Sequence, residues 1–468
     1  MDTKKLRQKI LDLAIRGKLV PQDPNDEPAS VLLERIRAEK ERLIKEGKIK
    51  RGKKSASDTP HYENVPYDLP EGWEWQKLGD IGTWQSGATP SRLNKDYYGG
   101  DIPWLKTGDL NDDYIYEIPE TITQKALEET SVKLNPAGSV LIAMYGATIG
   151  KVGILTFPAT TNQACCACVD YQGIEKMYLF YFLLSHKEEF IMLGGGGAQP
   201  NISKEKIVDT FIPIPPLLEQ NRIVNAIEQW FYLIDTLETA KEDLKTSIEH
   251  AKSKILDLAI HGKLVPQDPN DEPAIELLKR INPSFVPCDN AHYPFDVPHN
   301  WVWARGVDIF KPMKAASPLG DTFKYIDIDA IDNKRNVVTS VKVLNTKQAP
   351  SRASRYTEKG CVLFSMVRPY LRNIAMVTED DCIASTGFFV CQGKGCLSSK
   401  FCYFQMLSNY VVDGLNDFMK GDNSPSITKA QIEEYIFPLP PLNEQKRIVT
   451  KIEELFAVLD EIQKSIEA

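Results

Sequence analysis

The sequence predicts an α+β fold in which two mixed α/β domains are separated by a long antiparallel two-helix coiled coil, arranged with pseudo-twofold, circularly permuted symmetry. Three observations carry this prediction. Residues 17–29 return unchanged as residues 262–274. A second repeat, residues 212–224 with the motif Pro-Pro-x-x-Glu-Gln, returns in similar form as residues 437–449. An apolar heptad pattern follows that second repeat in both copies, as expected of helices that pair.

The two repeats occur in a permuted order. In the middle of the chain the Pro-Pro-x-x-Glu-Gln repeat at residues 212–224 leads through the helical residues up to 261 into residues 262–274, whereas the other copy is split between the two chain ends. Aligning residues 444–468 with residues 219–243 places Met1 opposite Thr246, so only Leu244 and Lys245 lack a counterpart. We therefore expect the two chain ends to be neighbours that together form a second, interrupted long helix.

Heptads define the helical segments. In residues 219–260 the a positions are Ile223, Trp230, Leu237, Leu244, Ala251 and Leu258, and the d positions are Ile227, Ile234, Lys241, Ile248 and Ile255. The split copy keeps this register with Ile448, Ile452, Leu455, Leu459, Ile462 and Ile466 at one end and Leu6, Ile10 and Leu13 at the other. At about 1.5 Å per residue the central helix is about 60 Å long. Two ordinary core helices would explain the heptads but not the permuted repeat.

Helix ends are also encoded. Gly17 and Gly262 occupy positions typical of a left-handed C-terminal cap, and each is followed four residues later by proline. Both repeated helices are therefore expected to end at these glycines.

Two segments between the helical pieces match each other only in outline. Both begin with Pro-x-x-Trp-x-Trp, have a glycine before an apolar strand (Gly138, Gly360), and continue into amphipathic helices at residues 176–192 and 399–415. A polar turn then leads to a short helix capped by Ser203 or Thr428. The predicted organisation is a helical segment with a basic linker at 1–60, domains at 61–215 and 291–440, a central helical region at 216–290 and a C-terminal helix at 441–468.

Composition limits the protein class. With 468 residues and 42% hydrophobic content, the chain can form two or three cores. No run of eighteen apolar residues and no signal peptide is present, so we expect a cytoplasmic protein without membrane association. Nine cysteines, an odd number, fit a reducing compartment. The Cys165-Cys166-Ala167-Cys168 stretch lacks a second pair at zinc-site spacing and is predicted to be a buried strand without a metal.

Charge and motifs favour a binding protein over an enzyme. The net charge of −8 argues against non-specific nucleic-acid binding, although residues 48–54 form a basic segment that is either a solvated linker or a DNA contact. No phosphate-binding loop, dinucleotide motif or Asn-Pro-Pro-aromatic methyltransferase motif is present. Glu444-Gln445-Lys446 has the E-x-K form of nuclease sites, but its twin Glu219-Gln220-Asn221 lacks the lysine. We predict no catalytic residue and no metal site in this chain.

These repeats resemble the DNA-specificity (S) subunits of Type I restriction-modification systems. The resemblance covers essentially the whole chain and rests on the Pro-Pro-x-x-Glu-Gln box, the Gly-Lys-Leu-Val box and three motifs of the first domain, at residues 86–92, 100–110 and 199–203. The second domain departs from the common form, with Phe-Lys-Pro-Met-Lys at residues 310–314. Its DNA-facing loops are therefore less clearly marked.

The resemblance implies a non-catalytic subunit with two target-recognition domains. Each domain would read one half of a bipartite, asymmetric site in double-stranded DNA, with an unread spacer between the halves. Two methyltransferase (M) subunits would supply the S-adenosylmethionine chemistry and motor-nuclease (R) subunits would use ATP and Mg, so no cofactor is expected in this chain. The alternative is a duplicated coiled-coil adaptor whose variable domains bind protein or carbohydrate ligands, which predicts no salt-dependent DNA affinity.

Candidate DNA-contacting residues follow from the chemistry of base edges, which favours Arg or Lys for guanine and Asn or Gln for adenine. In the first domain they are Arg92, Lys106, Thr107, Tyr145, Thr148, Lys151, Asn162, Gln163, Gln199 and Asn201. In the second domain they are Lys311, Lys314, Arg352, Arg355, Tyr356, Arg368, Tyr370, Arg372, Lys420 and Asn423. Several are expected to contact phosphate instead, because most protein–DNA hydrogen bonds go to the backbone.

Overall fold

The computed structural model describes residues 2–49, 65–171, 173–195, 201–287 and 293–467. The chain divides into two compact units, Met1–Thr239 and Ala240–Ala468. Each unit contains both helices and strands, so the predicted α+β class is confirmed. The five predicted segment boundaries stay a prediction, and residues 50–54 of the basic segment lie outside the described residues.

The first unit contains short helices, one long helix and three small sheets. Its helices are α1 (Thr3–Ile15), α2 (Ala29–Lys45), α3 (Leu78–Ile81), α4 (Gln124–Glu129), α5 (Lys176–Ser185), α6 (Lys187–Leu193), α7 (Lys204–Val208) and α8 (Leu217–Ile260), which continues into the second unit. Its strands are β1 (Glu74–Lys77), β2 (Gly82–Ser86), β3 (Tyr98–Leu105), β4 (Asp113–Ile115), β5 (Thr121–Ile122), β6 (Val140–Ala143), β7 (Val152–Leu155), β8 (Thr160–Thr161), β9 (Cys165–Asp170) and β10 (Phe211–Ile214). They form sheets in the orders β1-β10, β2-β9-β6-β7-β4 and β5-β3-β8.

The second unit repeats this plan with different strand lengths. Its further helices are α9 (Ala274–Ile281), α10 (Gly306–Ile309), α11 (Ser399–Leu407), α12 (Asn409–Asn416), α13 (Lys429–Glu434) and α14 (Leu442–Glu467). Its strands are β11 (Val302–Arg305), β12 (Thr322–Ile326), β13 (Ile331–Asp332), β14 (Val337–Val338), β15 (Lys342–Asn345), β16 (Ala353–Thr357), β17 (Val362–Ser365), β18 (Ile374–Met376), β19 (Cys382–Ser385), β20 (Phe388–Cys391) and β21 (Ile436–Leu439). The sheet orders are β11-β21, β15-β12-β19-β16 and β13-β14-β18-β17-β20.

Each variable segment is closed by pairing its first strand with its last. The Pro-x-x-Trp-x-Trp strand lies antiparallel to the proline-rich exit strand, with Trp75 opposite Pro213 in the first unit and Trp303 opposite Pro438 in the second. Proline can occupy these positions because each exit strand has a single neighbour in its two-stranded sheet. The matching motifs therefore mark where each variable segment leaves and rejoins the helical region.

The predicted helix ends are confirmed. Gly17 and Gly262 have φ of +64° and +66°, and the following residues, Lys18 and Lys263, donate backbone hydrogen bonds of 2.8 Å to carbonyls five residues earlier. A Cβ atom at either glycine would also lie 2.4 Å from the Cγ atom of a proline, Pro70 or Pro298. Both the backbone conformation and the close approach of that proline require glycine.

A shared junction explains why both boxes are repeated. In the first unit Gln22 donates to the Glu219 carboxylate (3.0 Å) and Arg222 binds Asp26 (2.5 Å), while the Trp73 indole donates to the other Glu219 oxygen (3.0 Å). Because Gln22 and Asp26 belong to one repeated box and Glu219 and Arg222 to the other, the junction joins the two boxes to each other.

The second unit makes the same two contacts between the boxes. Gln267 donates to Glu444 at 2.6 Å and Arg447 binds Asp271 at 2.6 Å. Burial raises the pKa of Glu219 and of Glu444 in the two junctions. The E-x-K form at residues 444–446 thus belongs to a structural contact between the two boxes.

The long helices run antiparallel to their partners within each unit. In the first unit Gln22 contacts α8 at Glu219, while Arg7 contacts it further along at Asp235 (2.5 Å). In the second unit Gln267 contacts the start of α14 at Glu444, whereas Lys252, which comes earlier in the chain, binds Asp460 further along α14 at 2.5 Å.

Only part of the predicted coiled-coil seam on α8 is buried. The d positions Ile227, Ile234 and Ile248 are buried, whereas the a positions Trp230 and Leu237 are 49% and 46% exposed. The a positions Trp230, Leu237 and Leu244 therefore form an exposed apolar stripe on α8, which a closed coiled coil would have covered.

Two predicted amphipathic helices are corrected by the structure. The segment at 176–192 is divided in two at His186, and the segment at 399–415 at Ser408. The hydroxyls of Ser185 and Ser408 donate to the carbonyls of Phe182 and Gln405 (both 2.6 Å). The first of these helices, α5, is also buried on most sides because it packs between α1 and the strands β6 and β7. Its apolar residues serve two neighbours, so the one-sided pattern expected of a surface helix is absent.

The Cys-rich stretch is the buried strand that was predicted. Cys165, Cys166 and Cys168 lie in β9 and are fully buried, and burial raises the pKa of each thiol. Within the described ranges, no three His, Cys, Asp or Glu side chains meet in an arrangement that could hold a metal ion. None of the described helices is both long and apolar enough to cross a membrane.

Candidate DNA interface

Four loops of the first unit meet at one rim of its sheets, held together by backbone hydrogen bonds. Ala88, after β2, donates to Thr161 (3.0 Å), at the end of β8. Met144, after β6, donates to Ala164 (2.8 Å), and Ile202 donates to Met144 (2.9 Å). Each of these loops carries at least one residue that the sequence analysis proposed for DNA contact.

The second unit contains the same backbone connections. Met366 donates to Gly387 at 2.8 Å and Ile427 donates to Met366 at 2.9 Å, matching the bonds made by Met144 and Ile202. Strand β12 also lies parallel to β19, as β3 does to β8. This scaffold places residues 366–372, 385–387 and 420–427 at the rim, even though the sequence of the second unit departs from the common motifs.

Arg92 and Lys106 converge on one carboxylate. The Arg92 guanidinium binds Glu120 at 2.9 Å and the Lys106 ammonium binds its other oxygen at 2.8 Å. The guanidinium carbon of Arg92 also lies 4.4 Å from the ring centre of Tyr98 and 5.1 Å from that of Trp104. Hydrogen bonds from Lys106 and then Arg92 lower the pKa of Glu120, so its negative charge persists.

The loop after β6 carries Tyr145 and Thr148. Tyr145 is exposed and its backbone bridges to Asn201, which is also exposed, while the Thr148 hydroxyl donates to the Tyr145 carbonyl at 2.9 Å. Lys151 turns inward, where its ammonium donates to the Leu110 carbonyl at 3.3 Å. Tyr145 and Asn201 therefore present side chains outward, whereas Lys151 is used inside the loop region.

The loop after β8 contains two amide side chains. Gln163 is exposed, and its amide oxygen accepts a short hydrogen bond from the Thr89 hydroxyl. Asn162 is half-buried, and its side-chain oxygen has no hydrogen-bond partner among the described residues. Thr107 is half-buried in the turn that follows Lys106. Gln199 lies outside the described residues.

In the second unit, Lys311 and Lys314 are exposed beside Tyr356. The Lys314 ammonium lies 5.7 Å from the centre of the Tyr356 ring, and the Lys311 backbone donates to Gln392 at 2.8 Å. The pair presents two cations on a segment fixed by strand contacts.

The two arginines of β16 and its preceding turn differ in accessibility. Arg352 is exposed and lies 3.8 Å from Asp327, whereas Arg355 is half-buried and its Nε atom has no hydrogen-bond partner among the described residues.

Residues 368–372 form a tight turn with two left-handed residues. Arg368 (φ +48°) donates from its guanidinium to the Asn423 carbonyl at 2.8 Å, linking it to the loop that also contains the exposed Lys420. Arg372 (φ +53°) instead donates to the Leu407 carbonyl at 2.8 Å and to the Asn409 side chain at 2.6 Å. Arg372 thus joins α11 to α12, a role that its sequence context did not indicate.

Tyr370 completes the second set and is exposed at the tip of the same turn. Three acids that pair with candidate cations, Glu120, Asp327 and Asp413, were not among the residues predicted from the sequence. No spacing in the sequence marks them, because tertiary folding brings each acid to its partner.

Comparison with known proteins places this geometry in a family. The model of the Type I restriction modification DNA specificity domain matches residues 70–246 and 320–468. The EcoAI specificity subunit of Escherichia coli is 28% identical over 98% of this chain and 90% of its own length. The MjaIX specificity subunit of Methanocaldococcus jannaschii is 24% identical over 85% of this chain and 90% of its own.

Two solved structures share the fold. A chain of a type I R-M system, determined in work on its complex assembly and conformational transition, superposes with a TM-score of 0.59 at 18% identity, covering 86% of this chain and 94% of that one. The HsdS subunit from Thermoanaerobacter tengcongensis gives 0.52 at 19% identity, covering 85% and 93%. With the family model matched in both units, the chain belongs to the Type I restriction-modification DNA specificity family.

Proposed function

We propose that this chain is the DNA-recognition subunit that directs a Type I restriction-modification complex to a bipartite, asymmetric target with an unread spacer. The observation that carries this proposal is the pair of matching rims. Met144 and Met366 anchor the same backbone connections in the two units, but the side chains displayed there differ. Equal scaffolds with different displayed side chains suit the reading of two different half-sites.

The relatives do not support the alternative of an adaptor for protein or carbohydrate ligands, because the EcoAI and MjaIX proteins are specificity subunits of Type I restriction enzymes. Their names also imply a non-catalytic role. We propose that methylation and cleavage belong to partner subunits, which would bring S-adenosylmethionine, ATP and Mg. A cytoplasmic location remains a prediction.

We divide the candidate residues into proposed DNA contacts and structural residues by where their side chains lie. Arg92, Tyr145, Asn201, Arg368 and Tyr370 present polar or aromatic side chains at the rims and are proposed as base or phosphate contacts. Lys151 and Arg372 bind part-buried carbonyls of their own unit and are proposed as structural residues instead, whereas the Arg368 bond to the Asn423 carbonyl is exposed within the rim loop. For a bidentate arginine–guanine contact, truncation to alanine costs about 1–3 kcal/mol of discrimination.

The function is tested by sequencing N6-methyladenine in genomic DNA of cells with and without this gene. We expect one bipartite methylated motif that disappears when the gene is deleted. An unchanged methylation pattern would remove the basis of the proposal.

Docking of two methyltransferase subunits is supported by twin apolar stripes. On α8, Trp230, Leu233 and Leu237 are 49%, 49% and 46% exposed on one helix face. The residues at the matching repeat positions of α14 include Val458 and Ile462, which are 53% and 41% exposed. Exposed apolar stripes of this kind mark protein interfaces, and their duplication favours two equivalent partners.

The stoichiometry is tested by native mass spectrometry of the chain mixed with its methyltransferase subunit. We expect two bound copies for the wild type, one for Trp230→Asp, one for Val458→Asp and none for the double variant. Tyr232→Asp is the matched control, since Tyr232 is exposed on another face of α8. Two copies bound to the double variant would exclude the stripes as docking sites.

A further inference from the structure

A charged cluster at the rim of the first unit is centred on Glu120. Its carboxylate accepts from Arg92 (2.9 Å) and Lys106 (2.8 Å), while its backbone carbonyl accepts from the Trp104 amide (2.9 Å). Glu120 is therefore fixed to strand β3, which Lys106 directly follows. The Trp104 indole in turn donates to the Ala88 carbonyl at 3.0 Å, which ties the cluster to the first rim loop.

Arg92 is held on three sides. Its guanidinium stacks against Tyr98 and Trp104, and Glu120 fixes one of its nitrogen atoms. The turn that carries Arg92 is closed by a hydrogen bond of 3.1 Å from the Asn94 amide to the Ser91 carbonyl. A long, flexible side chain is thereby limited to few conformations before any ligand arrives, which lowers the entropy lost on binding.

The fold alone does not require this arrangement of charge. Strand β12 of the second unit corresponds to β3 of the first. The residue that follows β12 is Asp327, whereas the residue that follows β3 is Lys106. Lys342 lies opposite Tyr325 of β12, in the place where Glu120 pairs with Trp104 of β3. Acid and base are exchanged between the two units. Lys342 there binds Asp329 at 2.6 Å.

Two cations sharing one carboxylate leave a net charge of +1 rather than +2 at this part of the rim. An unopposed pair of cations would attract phosphate on any DNA sequence, because that attraction carries no base information. The Glu120 carboxylate competes with DNA phosphate for Arg92 and Lys106. Only a ligand whose hydrogen-bond acceptors match the Arg92 guanidinium makes up for the contact with Glu120 that Arg92 gives up on binding. The cluster therefore penalises non-specific binding more than specific binding.

We propose that Glu120 is a specificity-determining positioning residue of the first unit, which orients Arg92 and Lys106 toward base edges and prevents them from gripping phosphate indiscriminately. This inference rests on the proposed DNA-recognition function. Glu120 itself need not touch DNA; its effect acts through the two cations.

The test uses the complex of this chain with its methyltransferase subunits and Glu120→Gln, which removes the charge and keeps the shape. Binding is measured over a range of KCl on the methylated motif, on a duplex scrambled in the half-site read by the first unit, and on one scrambled in the other half-site. We expect Glu120→Gln to bind the first scrambled duplex about two- to fivefold more tightly at low salt, the size of one exposed ion pair. The slope of log K against log salt should steepen by up to about 0.9.

Three controls separate the explanations. Glu120→Asp keeps the charge and should keep the wild-type salt slope. Discrimination at the other half-site should be unchanged, which excludes general misfolding. Asp96→Asn removes a carboxylate that binds Lys125 (3.1 Å) in the same unit, and it should leave half-site discrimination intact.

Unchanged discrimination and slope in Glu120→Gln, beside a wild type that discriminates normally, would overturn the role of Glu120 alone. Equal loss of discrimination in Asp96→Asn would also overturn it, by assigning the effect to net charge. A wild-type complex without any salt-dependent, motif-dependent binding would instead refute the proposed function itself.

Discussion

The junction between the two repeated boxes makes a quantitative prediction about stability. Replacing Asp26 by alanine removes the partner of Arg222 in the first unit, and replacing Asp271 by alanine removes the partner of Arg447 in the second. The carboxylates are 4% and 5% exposed, while each arginine is 35% exposed. The twin geometry implies that the two substitutions should cost the same.

The magnitude follows from this partial burial. Breaking a fully buried ion pair costs about 3–5 kcal/mol, and an exposed pair contributes about 0–1 kcal/mol. Because the acid is buried but the arginine still reaches solvent, we expect about 1–3 kcal/mol for either substitution. The loss should be local, loosening residues 17–29 or 262–274 from the long helix that carries the arginine.

Hydrogen exchange of the full-length chain, read by mass spectrometry, measures both effects in one experiment. Asp26→Ala should speed exchange in the first junction only, and Asp271→Ala in the second only, by similar factors. Glu454→Ala, which removes an exposed pair with Lys451, is the control and should change exchange little. A large effect at one twin with none at the other would refute the argument that both boxes serve the same contact.

Three further predictions address recognition, spacing and pH. Replacing residues 61–215 by the corresponding segment of a relative should change one half of the methylated motif, and motif sequencing that shows both halves altered would contradict separate reading. Deleting four residues of α8 around Lys241 shortens it by about 6 Å, against about 3.4 Å per base pair, so the preferred spacer should shrink by about one or two pairs or activity should vanish. New recognised bases with an unchanged spacer would contradict the ruler role of the helix. Burial lowers the pKa of His186 in the folded state, so protonation favours unfolding and first-unit stability should fall as pH drops below about 6.5. Asn409 follows Ser408, the serine that matches Ser185, so His186→Asn introduces the residue that the second unit has at this position. This substitution should remove the loss of stability on acidification, measured by thermal unfolding at about pH 5.5 and about pH 7.5.

Much of the architecture could be predicted from the sequence because repeats and periodicity are local records of packing. The long helix was expected at residues 219–260 and is found at Leu217–Ile260. The glycine caps and the short helices capped by Ser203 and Thr428 were likewise expected and are confirmed. Each depends on residues within one or two turns of the chain.

Other features could not be predicted, because distant segments create them. The position of α5 between α1 and the strands β6 and β7 joins distant segments of the chain, and the exposure of Trp230 depends on which face of α8 the rest of its unit covers. Heptad positions show which residues are apolar, but they do not show whether a partner helix from the same chain is present to cover them.

The sequence by itself determined that this protein is an internal duplication with a permuted order of boxes, two variable segments and a specificity-subunit family resemblance. Tertiary structure alone decided what the duplication holds together: Gln22 and Asp26 meet Glu219 and Arg222 only when the chain folds back on itself. It also decided that Glu120 restrains Arg92 and Lys106, while Lys151 and Arg372 serve their own unit. The physical reason is that charge pairs and rim loops depend on strand register, which places residues far apart in sequence within hydrogen-bond distance.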